Sequence, residues 1–296
     1  MFSLMDSTRQ DGLLAVLFPG QGSHLPGMKS QVERFRPDLV LLARAVVGDD
    51  PFDRVSESTR FAQPAIFCAA LAGWRRVRDG VQPDVMAGHS LGDVAALVAA
   101  GAISSEDGLH LVAARGRLME HAVARSRPGG MMVVRTADRA ELAALAADAG
   151  LTVANDNTPE LVVLSGPDDA LERVERVFRA RGVRSRRLDV RGAFHTPDME
   201  AAVPQFRELL SGMEIRPPAM PVYSSVTAKE FDDVRERLAQ ALVKPVRWLD
   251  VMRAMRARGV TRFVETGPGR VLTGLILKTL PDARTDDAPQ PEAAHV

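Results

Sequence analysis

Cysteine occurs once in the 296 residues, as Cys68, so no disulfide can close within the chain. Its surroundings, Ala65–Ala70, are apolar, which assigns it to a core and makes a reducing, cytoplasmic setting the expectation. An excess of either charge is missing too. Lys+Arg and Asp+Glu each total 38, leaving neither a field for nucleic acid nor a funnel for acidic substrates. Lysine is scarce, with four in the chain, so arginine carries nearly all the positive charge and a single helix arginine reads first as a solvated one. The opening MFSLMDSTRQDG holds two aspartates and no long apolar stretch, unlike a secretory signal or a membrane span, and no membrane partner is expected. No Gly-rich dinucleotide fingerprint follows a strand.

What is present is an ordinary globular composition, 46% hydrophobic and 26% charged, with length for one large α/β domain or a large domain carrying a smaller one. Its most informative run is GHSLG, Gly88 to Gly92. The preceding Asp84-Val85-Met86-Ala87 is short and mostly apolar, as a buried parallel strand would be, and Asp93 to Ala100 is an Ala- and Leu-rich helical stretch. A sharp strand-to-helix turn between glycines would hold the Ser90 hydroxyl clear of the sheet, above the free N–H groups of the helix. The same pattern also arises by chance in Gly-rich turns.

Strand and helix patterns alternate along the chain. Leu13 to Phe18 reads as a buried strand before the turn Pro19 to Ser23, and helical patterns cover Lys29 to Val47, Pro64 to Asp79 and Ser105 to Ala124. A different rhythm follows: strand Gly130 to Arg135, helix Ala137 to Ala149, strands Leu151 to Ala154 and Leu161 to Leu164, helix Asp168 to Arg181, strand Val183 to Val190. This β-α-β-β-α-β order is the ferredoxin-like split unit. Alternation resumes with Met220 to Ser224, Pro245 to Ala257 and Arg262 to Glu265. The expected organisation is therefore an α/β large subdomain over 13–127 and 191–281, a ferredoxin-like small subdomain over 128–190, and loose tails at 1–12 and 282–296.

A serine nucleophile needs a base. Of the six histidines, His24 lies in the first turn, His89 in the elbow, His110 and His121 in a helix, and His295 in the tail. His195, in GAFHTPDM where the large subdomain resumes, can face the cleft, although a structural histidine is the rival reading. Asp198 is too close in sequence to orient its ring, and a backbone carbonyl can do so instead. Two amides suffice to hold a tetrahedral oxyanion, one from Leu91 and one from the turn around Gln21.

FPGQGS (Phe18 to Ser23), AQPA (Ala62 to Ala65), GHSLG, ARGRLM (Ala114 to Met119), GAFH, PVRW (Pro245 to Trp248) and ETGPGRVLTGL (Glu265 to Leu275) occur in one order. As a set they resemble the malonyl-CoA:acyl carrier protein transacylases and polyketide synthase acyltransferase domains, over roughly Leu14 to Leu280. The resemblance implies an α/β-hydrolase-like core with a ferredoxin-like insert. It implies Ser90 as the acylated nucleophile, His195 as its base, the Gln21 and Leu91 amides as the oxyanion hole, and Arg115 as the partner of the malonyl carboxylate. It further implies that the backbone of Arg247 orients the histidine, that Gln63 lines the pocket and that Asn155 and Asn157 lie near the cleft. Phe194 before the base resembles malonyl-using members rather than methylmalonyl-using ones. His24 and Asp93 stand where glutamine and glutamate are usual, and the segment from Met28 to Ala62 is shorter than in typical members.

The implied reaction moves malonyl from malonyl-CoA, as a substrate, to the phosphopantetheine thiol of an acyl carrier protein, in fatty acid or polyketide biosynthesis. No metal or redox cofactor is implied, and a monomer is the default. The rivals are an editing thioesterase of the same fold and a catalytically silent scaffold for a carrier protein. The first has no use for a buried Arg115, and the second no use for Ser90 and His195 together.

Overall fold

The computed structural model describes residues 12–286; His295 and most of the two expected tails lie outside them. The chain opens with β1 (Leu13–Phe18) and runs through α1 (Met28–Phe35), α2 (Pro37–Val47) and α3 (Thr59–Val77) to β2 (Val85–Gly88), α4 (Gly92–Ala99) and α5 (Ser105–Arg125). The β-α-β-β-α-β segment follows as β3 (Gly129–Arg135), α6 (Arg139–Asp148), β4 (Thr152–Thr158), β5 (Leu161–Pro167), α7 (Asp168–Ala180) and β6 (Arg184–Arg187). The remainder is α8 (Val203–Ser211), β7 (Val222–Tyr223), α9 (Val234–Gln240), α10 (Trp248–Ala257), β8 (Val260–Glu265), α11 (Val271–Thr279) and β9 (Arg284–Asp286).

Two sheets result. Five strands in the order β7-β2-β1-β8-β9 pair in parallel, and β4-β5-β3-β6 pair antiparallel in the ferredoxin-like order. The fold is thus α/β-hydrolase-like with an inserted ferredoxin-like unit. In β1 the pleat sends alternate side chains to opposite faces. Leu14, Val16 and Phe18 join a core with α3, α4 and α5, whereas Ala15 and Leu17 join one with α10 and α11. The small sheet is packed in the same manner. Met132, Val134 and Leu164 meet α6 and α7, while Met131, Val163 and Ala154 enter the core of the large body.

Several elements differ from the sequence reading. The single stretch expected from Lys29 to Val47 is two helices, because Pro37 occupies the first turn of the second and Arg36 leaves helical geometry (φ −147°). Helix α3 starts at Thr59 and carries Pro64 inside it; a proline that suggests a helix start sits a turn and a half beyond one. The last insert strand stops at Arg187. Residues 284–286, expected as loose tail, form β9 beside β8, with Arg262 bonded to Asp286 at 2.6 Å. An Arg- and Asp-rich edge strand offers no apolar alternation to read.

Both glycines of the elbow are steric requirements. A Cβ on Gly88 would lie 1.9 Å from the Gly92 carbonyl carbon, and one on Gly92 would lie 2.0 Å from the Phe18 carbonyl oxygen. Gly274 in α11 faces open space. Gly92→Ala is expected to lower stability by about 3 kcal/mol, and Gly274→Ala to raise it by about 0.5–1 kcal/mol. Denaturant midpoints of the two variants measure this; equal shifts would mean that the elbow backbone can yield.

Candidate active site

The site forms where β1 and β2 end, the usual ligand edge of a parallel sheet. β2 runs out at Gly88, the His89 N–H donates to the Phe18 carbonyl at 3.0 Å, and α4 begins at Gly92. Ser90 lies between them in the left-handed region, φ 57°, a conformation that costs a non-glycine residue about 1–3 kcal/mol. The surrounding ladder and close glycine contacts hold it there. The elbow expected from the sequence is present, with the serine half-buried at its apex.

His195 reaches the same point from the other side of the chain. It too has positive φ, 60°, in a buried turn where the Thr196 hydroxyl donates to the Ala193 carbonyl at 2.7 Å. Its Nε2 lies 2.9 Å from Ser90 Oγ, within the range for proton transfer between a nucleophile and a base. Burial pushes the imidazole pKa down to about 3, helped by the positive field of Arg115 and the His89 ring. The carbonyls of Lys244 and Ala241 act in the opposite sense, favouring the protonated ring. The backbone expected to orient this ring was that of Arg247. In the structure the Arg247 carbonyl accepts from Val251 at 3.0 Å and its N–H donates to Ser225 at 2.7 Å. Its position at the start of α10 commits that backbone to the helix, and His195 Nδ1 has no hydrogen-bond partner among the described residues.

Arg115 is 3% exposed. Its Nη2 donates to Ser90 Oγ at 3.2 Å and its Nη1 to Gln63 Oε1 at 2.9 Å. Among the described residues no carboxylate forms an ion pair with it. Burial lowers its pKa to about 10, against the pull of Asp93, so the guanidinium stays charged at neutral pH. Asp93, in the first turn of α4, is itself driven up to about 7 by burial, while bonds from the Ser225 hydroxyl (2.6 Å) and N–H (3.3 Å) oppose that shift. A buried guanidinium with no ion-pair partner is a receptor for an external anion, above all a planar carboxylate.

Two amide donors complete the arrangement. The N–H groups of Gln21 and Leu91 have no acceptor among the described residues. Their turns touch, since a Cβ on Gly20 would lie 2.4 Å from the His89 carbonyl oxygen. Leu91 precedes α4, so the positive end of that helix adds to its field.

The remaining sequence candidates fall into a second circle. His89 Nε2 meets Asn157 Oδ1 at 2.9 Å and stacks at a tilt on Trp248. Asn155 forms a parallel bridge with Val246 through its backbone, flanked by 2.8 Å bonds from the Val246 N–H to Ala154 and from the Asp156 N–H to Val246. The insert is thereby stitched to the turn behind His195. Phe194 is buried in the main core. Gln63 bonds Arg115, Thr59 and Met119 rather than Ser90. Cys68 is buried, and desolvation holds its thiol far above the usual range. His110 and His121 lie exposed on α5, and His24 faces Ser56. Sequence reasoning missed Thr59, the Asp93–Ser225 bond and the Lys244 turn. These depend on contacts between residues far apart in the chain, for which no local pattern exists.

A model of the acyl transferase domain family matches residues 16–293. The polyketide biosynthesis protein ThaF of Burkholderia thailandensis is 40% identical over 283 residues, which cover 90% of this chain and 24% of ThaF. The polyketide biosynthesis malonyl CoA-acyl carrier protein transacylase PksC of Bacillus subtilis is 34% identical, covering 92% of this chain and 98% of PksC. The crystal structure of the malonyl-CoA:acyl carrier protein transacylase FabD of Xanthomonas oryzae pv. oryzae superposes with a TM-score of 0.87 at 34% identity, over 94% of this chain and 95% of that one. Among the described residues no helix is long and apolar enough to cross a membrane.

The depressed pKa of His195 has a direct kinetic consequence. A lowered value keeps the ring neutral, and able to accept a proton, until the pH falls through that value. Reaction of Ser90 with a fluorophosphonate probe is therefore expected to show no loss centred on the ordinary histidine value of 6.5. Measured rates in the wild type and in Asp93→Asn separate the two titrating groups. A limb near that value that survives Asp93→Asn would show an unperturbed histidine.

Proposed function

The chain belongs to the acyl transferase domain family, and on that premise we propose that it carries malonyl groups from malonyl-CoA to the phosphopantetheine thiol of an acyl carrier protein, by way of an ester on Ser90. The carrying observation is the buried, unpaired Arg115 within 3.2 Å of the Ser90 hydroxyl. A donor with a free carboxylate satisfies it, and an acetyl group leaves it uncompensated.

In the proposed course, malonyl-CoA places its carboxylate on Arg115 and its thioester carbonyl before the Gln21 and Leu91 amides. His195 Nε2 takes the Ser90 proton as Oγ bonds to the carbonyl carbon. The oxyanion rests on the two N–H groups until the C–S bond breaks, and His195 returns the proton to the CoA sulfur. The carrier thiol then gives its proton to His195 and attacks the ester, and Ser90 leaves with that proton. The bound carboxylate offsets the field of Arg115, one of the causes that lower His195. The base is thus strongest when the fitting substrate is in place.

The names of ThaF and PksC favour polyketide assembly as the setting. Phe194 beside the base supports malonyl over methylmalonyl, a preference of about 10–200-fold for one methyl in an apolar pocket. The editing-hydrolase alternative has no observation in its favour.

Intact and peptide mass spectra after incubation with malonyl-CoA or acetyl-CoA test the proposal. A malonyl ester on Ser90 is expected, with little acetyl ester. Arg115→Ala should slow malonylation by about 100-fold or more and bring the two donors close to parity. A folded protein that takes neither group, or both equally well, would overturn it.

A further inference from the structure

We infer that Thr59 is a positioning residue that couples Arg115 to the oxyanion turn at Gln21, through a one-way chain of three hydrogen bonds. The inference rests on the reading of Arg115 and Gln21 proposed above.

A guanidinium can only donate. Gln63, 1% exposed, must therefore turn its oxygen towards Arg115 Nη1, at 2.9 Å. That fixes the amide and directs Nε2 to Thr59 Oγ1, at 2.8 Å. The Thr59 hydroxyl accepts that bond and donates its proton to Gln21 Oε1, at 3.0 Å. The cation at one end thus sets the Gln63 amide, and Gln21 is held at the other end by the oxygen of its own side chain.

The neighbouring backbone fits this role. Thr59 is the first residue of α3 and is buried. Its carbonyl oxygen faces Gly116 of α5, where a Cβ would lie 2.7 Å away, so the helix that carries Arg115 bears directly on the Thr59 peptide. Gln21, by contrast, is exposed and precedes Gly22 in a positive-φ turn. Within that turn the Ser23 hydroxyl bonds the Gly20 carbonyl at 2.8 Å. Among the described residues, Thr59 alone hydrogen-bonds the Gln21 side chain. The amide before that side chain is the proposed oxyanion donor, and its aim matters only as the carbonyl oxygen becomes charged.

A double-mutant cycle tests the coupling. Thr59→Val keeps the shape and removes the hydroxyl, and Gln21→Ala removes the acceptor while keeping the backbone N–H. Each is expected to lower kcat for Ser90 malonylation by about 10–100-fold, with KM for malonyl-CoA changed by less than about threefold. The double variant should be no slower than either single one, and Thr59→Ser should restore the rate. The fluorophosphonate reaction is run in parallel. It also loads the oxyanion amides but has no carboxylate to bind, so its slowing in Thr59→Val and Gln21→Ala, by a factor similar to that for malonylation, separates the coupling from recognition of the malonyl carboxylate. Multiplying losses in the double variant, or an unchanged Thr59→Val, would overturn the inference. Absence of malonylation in a wild type that still reacts with the probe would instead overturn the malonyl reading, and the probe rates would then decide the coupling.

Discussion

Arg115 is a full positive charge in a place that water hardly reaches, and among the described residues no carboxylate forms an ion pair with it. Removing such an ion from water costs several kcal/mol even after relaxation. The surroundings answer with oriented dipoles: the Gln63 amide oxygen and the Ser90 hydroxyl oxygen both point at the guanidinium. The same charge adds to the burial that depresses His195, joins the Ser225 bonds in opposing the rise of Asp93, and sets the orientation of the Gln63 amide. Ser90, His195 and Arg115 are therefore one electrostatic unit, not three residues that happen to be near each other.

The fold exists to bring that unit together from distant parts of the chain. β1 and β2 deliver two turns side by side, and glycines at positions 20, 88 and 92 let their backbones meet. Long α5 carries Arg115 across α3, where Gly116 permits the close approach. His195 comes from the exit of the insert, and the turn behind it is tied to β4 by two backbone bonds at Val246. Rigid elements hold the reacting atoms, as pre-organised catalysis requires.

Much of this could be read from residues alone. β1 spans the expected Leu13–Phe18, and the split β-α-β-β-α-β order came directly from the change in rhythm after Gly129. These signals are local periodicities, which burial enforces. GHSLG carries its own geometry for the same reason, since two steric glycines leave little choice. The division at Pro37 was available in the sequence as a helix-start signal and was passed over in favour of the longer apolar pattern. β9 gave none, because ion pairs and a ladder hold it rather than an apolar face. The backbone group behind His195 has no local signature, because a backbone carbonyl has the same chemistry at every position. In the structure the Arg247 backbone engages Val251 and Ser225. Thr59 was invisible for a similar reason: a hydroxyl acquires meaning from the two amides that happen to flank it.

The small sheet contributes Met131, Val163 and Ala154 to the core of the large body, and β4 adds a ladder rung to Val246. This insert is consequently not a cassette. Exchanging residues 128–190 for those of a relative, as an engineer might to alter partner choice, transplants part of the central core and the support of the turn behind His195 along with the surface. Recombination that respects both would place its crossovers so that Ala154–Asn157 travels together with the segment from Ala241 to Trp248.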